Sequence, residues 1–62
     1  MSQELARKLK AARAKLKMSQ SQFAKHLGMS VRTLQAWEID QTAPRGFALS
    51  ALEEKLAQIL AE

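Results

Sequence analysis

The chain has no cysteine and no tyrosine, and its 62 residues include only one histidine, one tryptophan, one proline and two glycines. The absence of cysteine excludes disulfides, thiol nucleophiles and cysteine-based zinc sites. A single histidine, His26, excludes the usual histidine clusters that bind metals. Glu53 and Glu54 are adjacent, so on a helix they point about 100° apart and form no acid–base pair. We therefore predict that the protein is not an enzyme and uses no metal or cofactor.

Long uncharged runs are also missing. The longest are Met18 to Ala24 and Gly46 to Leu52, which are far shorter than the roughly 20 apolar residues of a membrane span. The first residues, Met-Ser-Gln-Glu, lack the basic and then apolar pattern of a secretory signal. We expect a cytoplasmic protein with no membrane partner.

Apolar residues make up 47% of the chain, which is enough for a folded core. The length allows one small domain, 1–62. No segment alternates in the manner of a β-strand, whereas apolar residues recur at helical spacing. The predicted fold class is therefore all-α.

Charge is divided unevenly along the chain. No acidic residue lies between Leu5 and Trp37, while from Glu38 onward five acidic residues outnumber two basic ones. A cationic half in a soluble protein indicates a polyanionic partner, either nucleic acid or an anionic membrane surface. Its basic residues are Arg7, Lys8, Lys10, Arg13, Lys15, Lys17, Lys25 and Arg32.

The first helix is predicted over residues 3–17, with Ser2 as its N-terminal cap and Glu4 in its first turn. One face carries an apolar stripe at i, i+4, i+7 and i+11. The stripe consists of Leu5, Leu9, Ala12 and Leu16.

Two short helices follow. Ser19 and Gln22 match a capping box, which predicts a helix over 20–27 that ends at Gly28. Ser30 can cap a third helix over 30–38. A three-residue turn containing glycine between two short helices is typical of a helix-turn-helix. The inward residues of the two helices are Phe23, Ala24, Leu27, Leu34 and Trp37.

Residues 39–46 are predicted to form a loop, since Pro44 and Gly46 break regular structure. One last helix is predicted over 46–61. Ser50 and Glu53 form a second possible capping box, which would divide this segment into two short helices. The segment's apolar residues are Leu49, Leu52, Leu56, Ile59 and Leu60.

The segment 18–46, MSQSQFAKHLGMSVRTLQAWEIDQTAPRG, resembles the helix-turn-helix of the phage lambda-repressor and Cro family, also called XRE-type regulators. Ala24 occupies the small position where the two helices cross, and Gly28 lies in the turn. The family usually has glycine where this chain has Asp40, but Asp tolerates left-handed geometry better than most residues. Phe23, Leu27, Met29, Leu34 and Trp37 match the family's apolar positions.

The resemblance implies a small four- to five-helix bundle of the lambda-repressor type, with its helix-turn-helix core at 19–38. It implies a sequence-specific, double-stranded DNA-binding transcription regulator of phage or bacterial origin, most simply a Cro-like repressor. Such motifs usually bind palindromic sites as dimers.

Helical geometry indicates which side chains read bases. If Leu34 and Trp37 point inward, Arg32 points almost directly outward at 100° per residue. Arg32 can donate two hydrogen bonds to guanine, and Gln35 can pair with adenine or with a phosphate. Ala36 and Val31 can contact a thymine methyl group.

Phosphate contacts are expected around the helix starts and the loop. By the resemblance, Gln20 clamps the DNA backbone, and Arg45 is the loop cation that binds phosphate. Lys10, Lys17 and Lys25 are weaker candidates. The short donors near these positions are Ser19, Ser21, Ser30 and Thr33.

Two sets of residues are assigned to structure or assembly. Arg13 and Glu38 resemble the family's internal ion pair. Part of the last helix is predicted to form a dimer interface, through Leu52, Leu56, Ile59 and Leu60. Alternatively, all five apolar residues of this helix, which include Leu49, simply cover the first helix and Trp37.

Two other functions remain open. The segment VRTLQAWE followed by P-x-G also looks like small antitoxins of this superfamily, which implies a toxin as a possible partner and an operator that the antitoxin regulates. The chain can instead be a protein-interaction or membrane-surface module that does not bind DNA.

Overall fold

The computed structural model describes residues 3–61, which form four α-helices and, within that range, no β-strand. The predicted all-α bundle is confirmed, with four helices rather than five. No helix among these residues has the length and apolar character needed to cross a membrane. The helices are α1 (Glu4–Leu16), α2 (Gln20–Leu27), α3 (Val31–Glu38) and α4 (Phe47–Ala61).

Side-chain caps define the starts of α2 and α3. The Ser19 hydroxyl accepts from the Gln22 amide at 3.2 Å, and the Gln22 side chain accepts from the Ser19 amide at 2.9 Å. This is the predicted capping box. Ser30 caps α3 by accepting from the Thr33 amide at 3.2 Å. By contrast, α1 begins after Gln3 without a side-chain cap, and its predicted cap, Ser2, lies outside the described residues.

The first three helices all end in the same way, with one residue in the left-handed region. These residues are Lys17 at φ 56°, Gly28 at φ 74° and Asp40 at φ 60°. In each case the next amide bonds back to a carbonyl five residues earlier, as when Met29 donates to Ala24 at 2.9 Å. This is the Schellman arrangement, in which the reversal satisfies the last carbonyls of the helix.

The last helix is continuous from Phe47 to Ala61, as predicted, and the alternative of a break with a second cap at Ser50 is not found. The Ser50 amide donates to the Gly46 carbonyl at 3.1 Å, which places Ser50 inside the first turn of α4. At the other end, the Lys15 ammonium group donates to the Leu60 carbonyl at 3.2 Å. A cation at a helix C-terminus is favourable, because it compensates the negative end of the helix dipole.

The core lies where α1 packs against α3 and α4, and where α2 packs against α3. Its largest fully buried side chains are Leu9, Phe23, Leu34 and Leu56. The predicted stripe of α1 is only partly in this core, since Leu5 and Leu16 are half-buried. Ala6, which the stripe omitted, is 5% exposed.

Two of the four residues predicted for the dimer interface are already buried within the single chain, where α4 packs against α1. Leu52 and Leu56 are 8% and 0% exposed within the single chain. They therefore belong to the chain's own core, which is the alternative that the sequence left open. Of the four residues, Ile59 is half-buried and Leu60 is 37% exposed.

A buried ion pair ties α1 to the end of α3. The Arg13 guanidinium donates from Nε to Glu38 Oε2 at 3.0 Å and from Nη2 to Glu38 Oε1 at 3.2 Å. The Glu38 side chain is 3% exposed, whereas that of Arg13 is 28% exposed. Arg13 also donates to the Met18 carbonyl at 3.4 Å, just before α2. Arg13 therefore links α1 both to the end of α3 and to the connection between α1 and α2.

Removal of Arg13 should destabilise the fold severely, because it leaves the Glu38 carboxylate buried without its cation. We expect Arg13→Met to lower the free energy of unfolding by about 3 kcal/mol, the low end for a buried pair, because Arg13 is partly exposed. That is a large share of the roughly 3–9 kcal/mol available to a domain of this size.

Urea denaturation followed by circular dichroism measures this loss. The double variant Arg13→Met/Glu38→Met should regain most of it, since apolar residues of similar volume often replace a buried pair without cost. A double variant as unstable as the single one would contradict the view that an unpaired charge causes the loss.

The left-handed residues Lys17 and Gly28 end α1 and α2 in the same way. Substitutions at these two positions should change the free energy of unfolding in opposite directions. Gly28→Ala should lower the free energy of unfolding by about 1–2 kcal/mol, the cost of a Cβ in this region. No atom lies within 4 Å of that Cβ, so steric overlap does not contribute. Lys17→Gly should raise it by up to about 1 kcal/mol, since the gain is reduced by the greater freedom of glycine in the unfolded chain. Shifts of the same sign in thermal denaturation would contradict this explanation.

Candidate nucleic-acid interface

The outer face of α3 is set by the two residues that point inward. Leu34 is completely buried and Trp37 is half-buried against the core. The opposite side of the helix is consequently open to solvent, as helical geometry requires. Its exposed residues are Val31, Arg32, Thr33 and Gln35, with Ala36 half-buried beside them.

Arg32 lies at the centre of this face. It is exposed and, in the part of the chain that the structure describes, makes no hydrogen bond or ion pair with another residue. All five N–H donors of its guanidinium group are therefore available to a ligand. Val31, at 36% exposure, flanks it as an apolar neighbour.

Two hydroxyl groups lie at the start of α3. The oxygens of Ser30 and Thr33 are 2.8 Å apart and share one hydrogen bond, while Ser30 also accepts from the Thr33 amide. One hydroxyl donates to the other, which leaves the second hydroxyl hydrogen free. Both residues are exposed, so this pair can donate to an anion beside the helix.

The start of α2 presents backbone donors. The Ser19 cap takes the amide of Gln22, and the Phe23 amide donates to the Ser19 carbonyl at 2.9 Å. The amides of Gln20 and Ser21 precede the first helical hydrogen bond and have no partner inside the helix. Ser19 and Ser21 are exposed at this end. This positive end of the helix dipole favours an anion.

Gln20, which the resemblance assigns to the DNA backbone, is half-buried and bonded to two other side chains. Its Nε2 donates to Glu38 Oε1 at 3.1 Å, and its Oε1 accepts from Gln35 Nε2 at 3.3 Å. The side chain therefore bridges the buried carboxylate and the outer face of α3.

The cationic half keeps most of its charge on the surface. Glu38 neutralises Arg13, whereas the weaker candidates Lys10, Lys17 and Lys25 are exposed. Arg45 is exposed in the loop after α3, next to the buried Pro44. Exposed cations on several elements give a positive field that attracts a polyanion.

Sequence reasoning missed the bridge formed by Gln20. Gln20 and Gln35 are 15 positions apart and lie on different helices, so no helical periodicity connects them. The capping box, which places Gln20 at the start of α2, was the available signal for its location. Its partners depend on how α2 crosses α3, which no local pattern specifies.

The structure offers little for other chemistry. Among residues 3–61, no group of three or more histidine, aspartate or glutamate residues is arranged to hold a metal ion. The His26 ring is stacked on Phe23, with 6.3 Å between ring centroids. That contact gives the single histidine a packing role on α2.

The family comparison agrees with this geometry. A family model described as "Helix-turn-helix" matches residues 9–58, which include most of α1, all of α2 and α3, and most of α4. No curated protein and no solved structure matches the chain. With a matching family model over most of its length, the chain belongs to the lambda-repressor and Cro-like, or XRE-type, family of helix-turn-helix DNA-binding regulators.

Proposed function

We propose that this regulator is a sequence-specific repressor that reads the major groove of double-stranded DNA with α3. The observation that carries the proposal is the exposed, unpaired Arg32 at the centre of the outer face of α3. An α-helix fits the major groove, where each base pair presents a distinct pattern of donors and acceptors. Because its target is phage or bacterial DNA, we expect the protein to act in the cytoplasm.

Base reading is assigned to four side chains of this face. Arg32 donates two hydrogen bonds to guanine O6 and N7, which is the commonest specific contact of arginine. Gln35 pairs with a neighbouring base, and the apolar Val31 and Ala36 contact thymine methyl groups. Repression follows from occupancy of the operator.

Phosphate binding is assigned to the surroundings of that face. The free amides and the serine hydroxyls at the start of α2 bind one phosphate, and the hydroxyl pair at the start of α3 binds another. Arg45 adds a cation from the loop. These contacts fix the position of α3 but carry no sequence information. The residues are Ser19, Ser21, Ser30, Thr33 and Arg45.

Loss of Arg32 should abolish discrimination at one base pair. We expect Arg32→Ala to lose about 1–3 kcal/mol of preference there and to keep its affinity for unrelated duplexes. Arg32→Lys should behave similarly, because lysine keeps the charge but lacks the planar, bidentate guanidinium group. Fluorescence anisotropy on duplexes selected from a random pool, and on their single-base-pair variants, measures both quantities.

Arg45→Ala is the matched control, since it removes the same charge from a phosphate contact. It should weaken binding to every duplex equally and reduce the slope of log K against log salt by about 0.9. Arg32→Ala should leave that slope nearly unchanged. Equal weakening of all duplexes by Arg32→Ala would show that Arg32 binds the backbone and would overturn the proposal for α3.

Dimeric binding on a palindromic site is the expected assembly. Two half-sites about one helical turn apart would match a two-fold pair of chains. Of the four residues predicted for this contact, the exposed Leu60 and the half-buried Ile59, at the end of α4, remain accessible to a second chain. We expect sedimentation velocity to find two chains on each palindromic duplex. A single chain on a duplex with two intact half-sites would contradict the dimer.

A further inference from the structure

A chain of side-chain hydrogen bonds runs from the buried ion pair to the outer face of α3. It begins at the Glu38 carboxylate, which Arg13 holds through two hydrogen bonds. Gln20 Nε2 donates to Glu38 Oε1 at 3.1 Å, and Gln35 Nε2 donates to Gln20 Oε1 at 3.3 Å. This series of hydrogen bonds therefore leads from the core, through Gln20 at the start of α2, to the exposed Gln35 on α3.

The direction of these hydrogen bonds is dictated by the carboxylate. An ionised Glu38, paired with Arg13, can only accept hydrogen bonds. Gln20 must therefore turn its NH₂ group toward Glu38, which turns its carbonyl oxygen toward Gln35. Gln35 must in turn present its NH₂ group to Gln20. The side-chain amides of Gln20 and Gln35 therefore each have one favoured orientation, although a free glutamine amide can exchange the positions of its oxygen and its NH₂ group.

The fixed orientation leaves Gln35 with a defined pair of free groups. One N–H of its amide is bonded to Gln20, while the second N–H and the carbonyl oxygen remain for a ligand. Adenine presents one acceptor, N7, and one donor, the N6 amino group, in the major groove. A glutamine amide with one free donor and one free acceptor matches that pair.

We propose that Gln35 reads an adenine and that Gln20 is the positioning residue that fixes the Gln35 amide for this contact. The inference rests on the proposed function, since it requires α3 in the major groove. It changes the expected role of Gln20 from a backbone clamp to a determinant of specificity. The two roles differ in one measurable respect, because a backbone clamp affects all sequences alike.

The test compares Gln35→Ala, Gln20→Ala and the double variant on a duplex from the random-pool selection and on its single-base-pair variants. Gln35→Ala should lose about 5- to 150-fold discrimination at one A·T pair. Gln20→Ala should lose about 2- to 10-fold discrimination at the same pair, the loss expected from one hydrogen bond. The double variant should match Gln35→Ala, because Gln20 acts only through Gln35.

Two further variants serve as controls for protein stability and for the loss of a glutamine elsewhere on the surface. Gln20→Met keeps a side chain of similar length at the α2–α3 contact without the amide, and it should give the same result as Gln20→Ala if the latter is unstable. Gln58→Ala changes an exposed glutamine on α4 and should leave the discrimination unchanged. Thermal denaturation of each variant verifies that it is folded at the temperature of the binding assay.

Three results would overturn the inference, and each identifies what has failed. If both Gln20 variants weaken all duplexes equally, and their effect multiplies with that of Gln35→Ala, Gln20 is a backbone clamp. If Gln35→Ala keeps full discrimination at every base pair, Gln35 reads no base. If the unmodified protein shows no sequence preference, or Arg32→Ala loses none, the proposed function itself fails.

Discussion

The buried carboxylate of Glu38 is the constraint on which the rest of this small structure depends. An ionised group at 3% side-chain exposure is costly unless cations and donors surround it. Arg13 from α1 and Gln20 from α2 supply those donors, and Arg13 also bonds to the connection before α2. Satisfying one charge at the end of α3 therefore sets the relative positions of the first three helices.

The same network joins stability to recognition. A chain of this length buries a small core, so polar contacts that fix helix positions carry much weight. Here the contact that holds α1 to α3 continues, through Gln20, to the exposed amide of Gln35. A helix that reads bases must be held within a fraction of an ångström, and a hydrogen-bonded network provides such rigidity when all its members are satisfied. Among the described residues, no buried side-chain N or O atom lacks a partner.

Much of the local structure was predictable because its causes are local. The serine caps, the end of α2 at Gly28 and the loop around Pro44 follow from residues within one turn of chain. The left-handed Asp40 was also expected, from the tolerance of aspartate for that geometry. Lys17 was not, because nothing in a lysine indicates left-handed backbone. Its conformation is imposed by the reversal from α1 into α2, and the strain must be offset by the packing of both helices.

The sequence by itself determined the helices, the direction in which Arg32 points and the family to which the chain belongs. All three depend on short-range spacing: helical periodicity, capping residues, and the alternation of inward and outward positions on α3. Only the tertiary structure decided that Leu52 and Leu56 cover α1 within the same chain, and that Gln20 binds Glu38 and Gln35 rather than solvent. Those outcomes depend on the angles at which the helices cross. These angles result from the packing of many side chains at once, so no single segment of the sequence determines them.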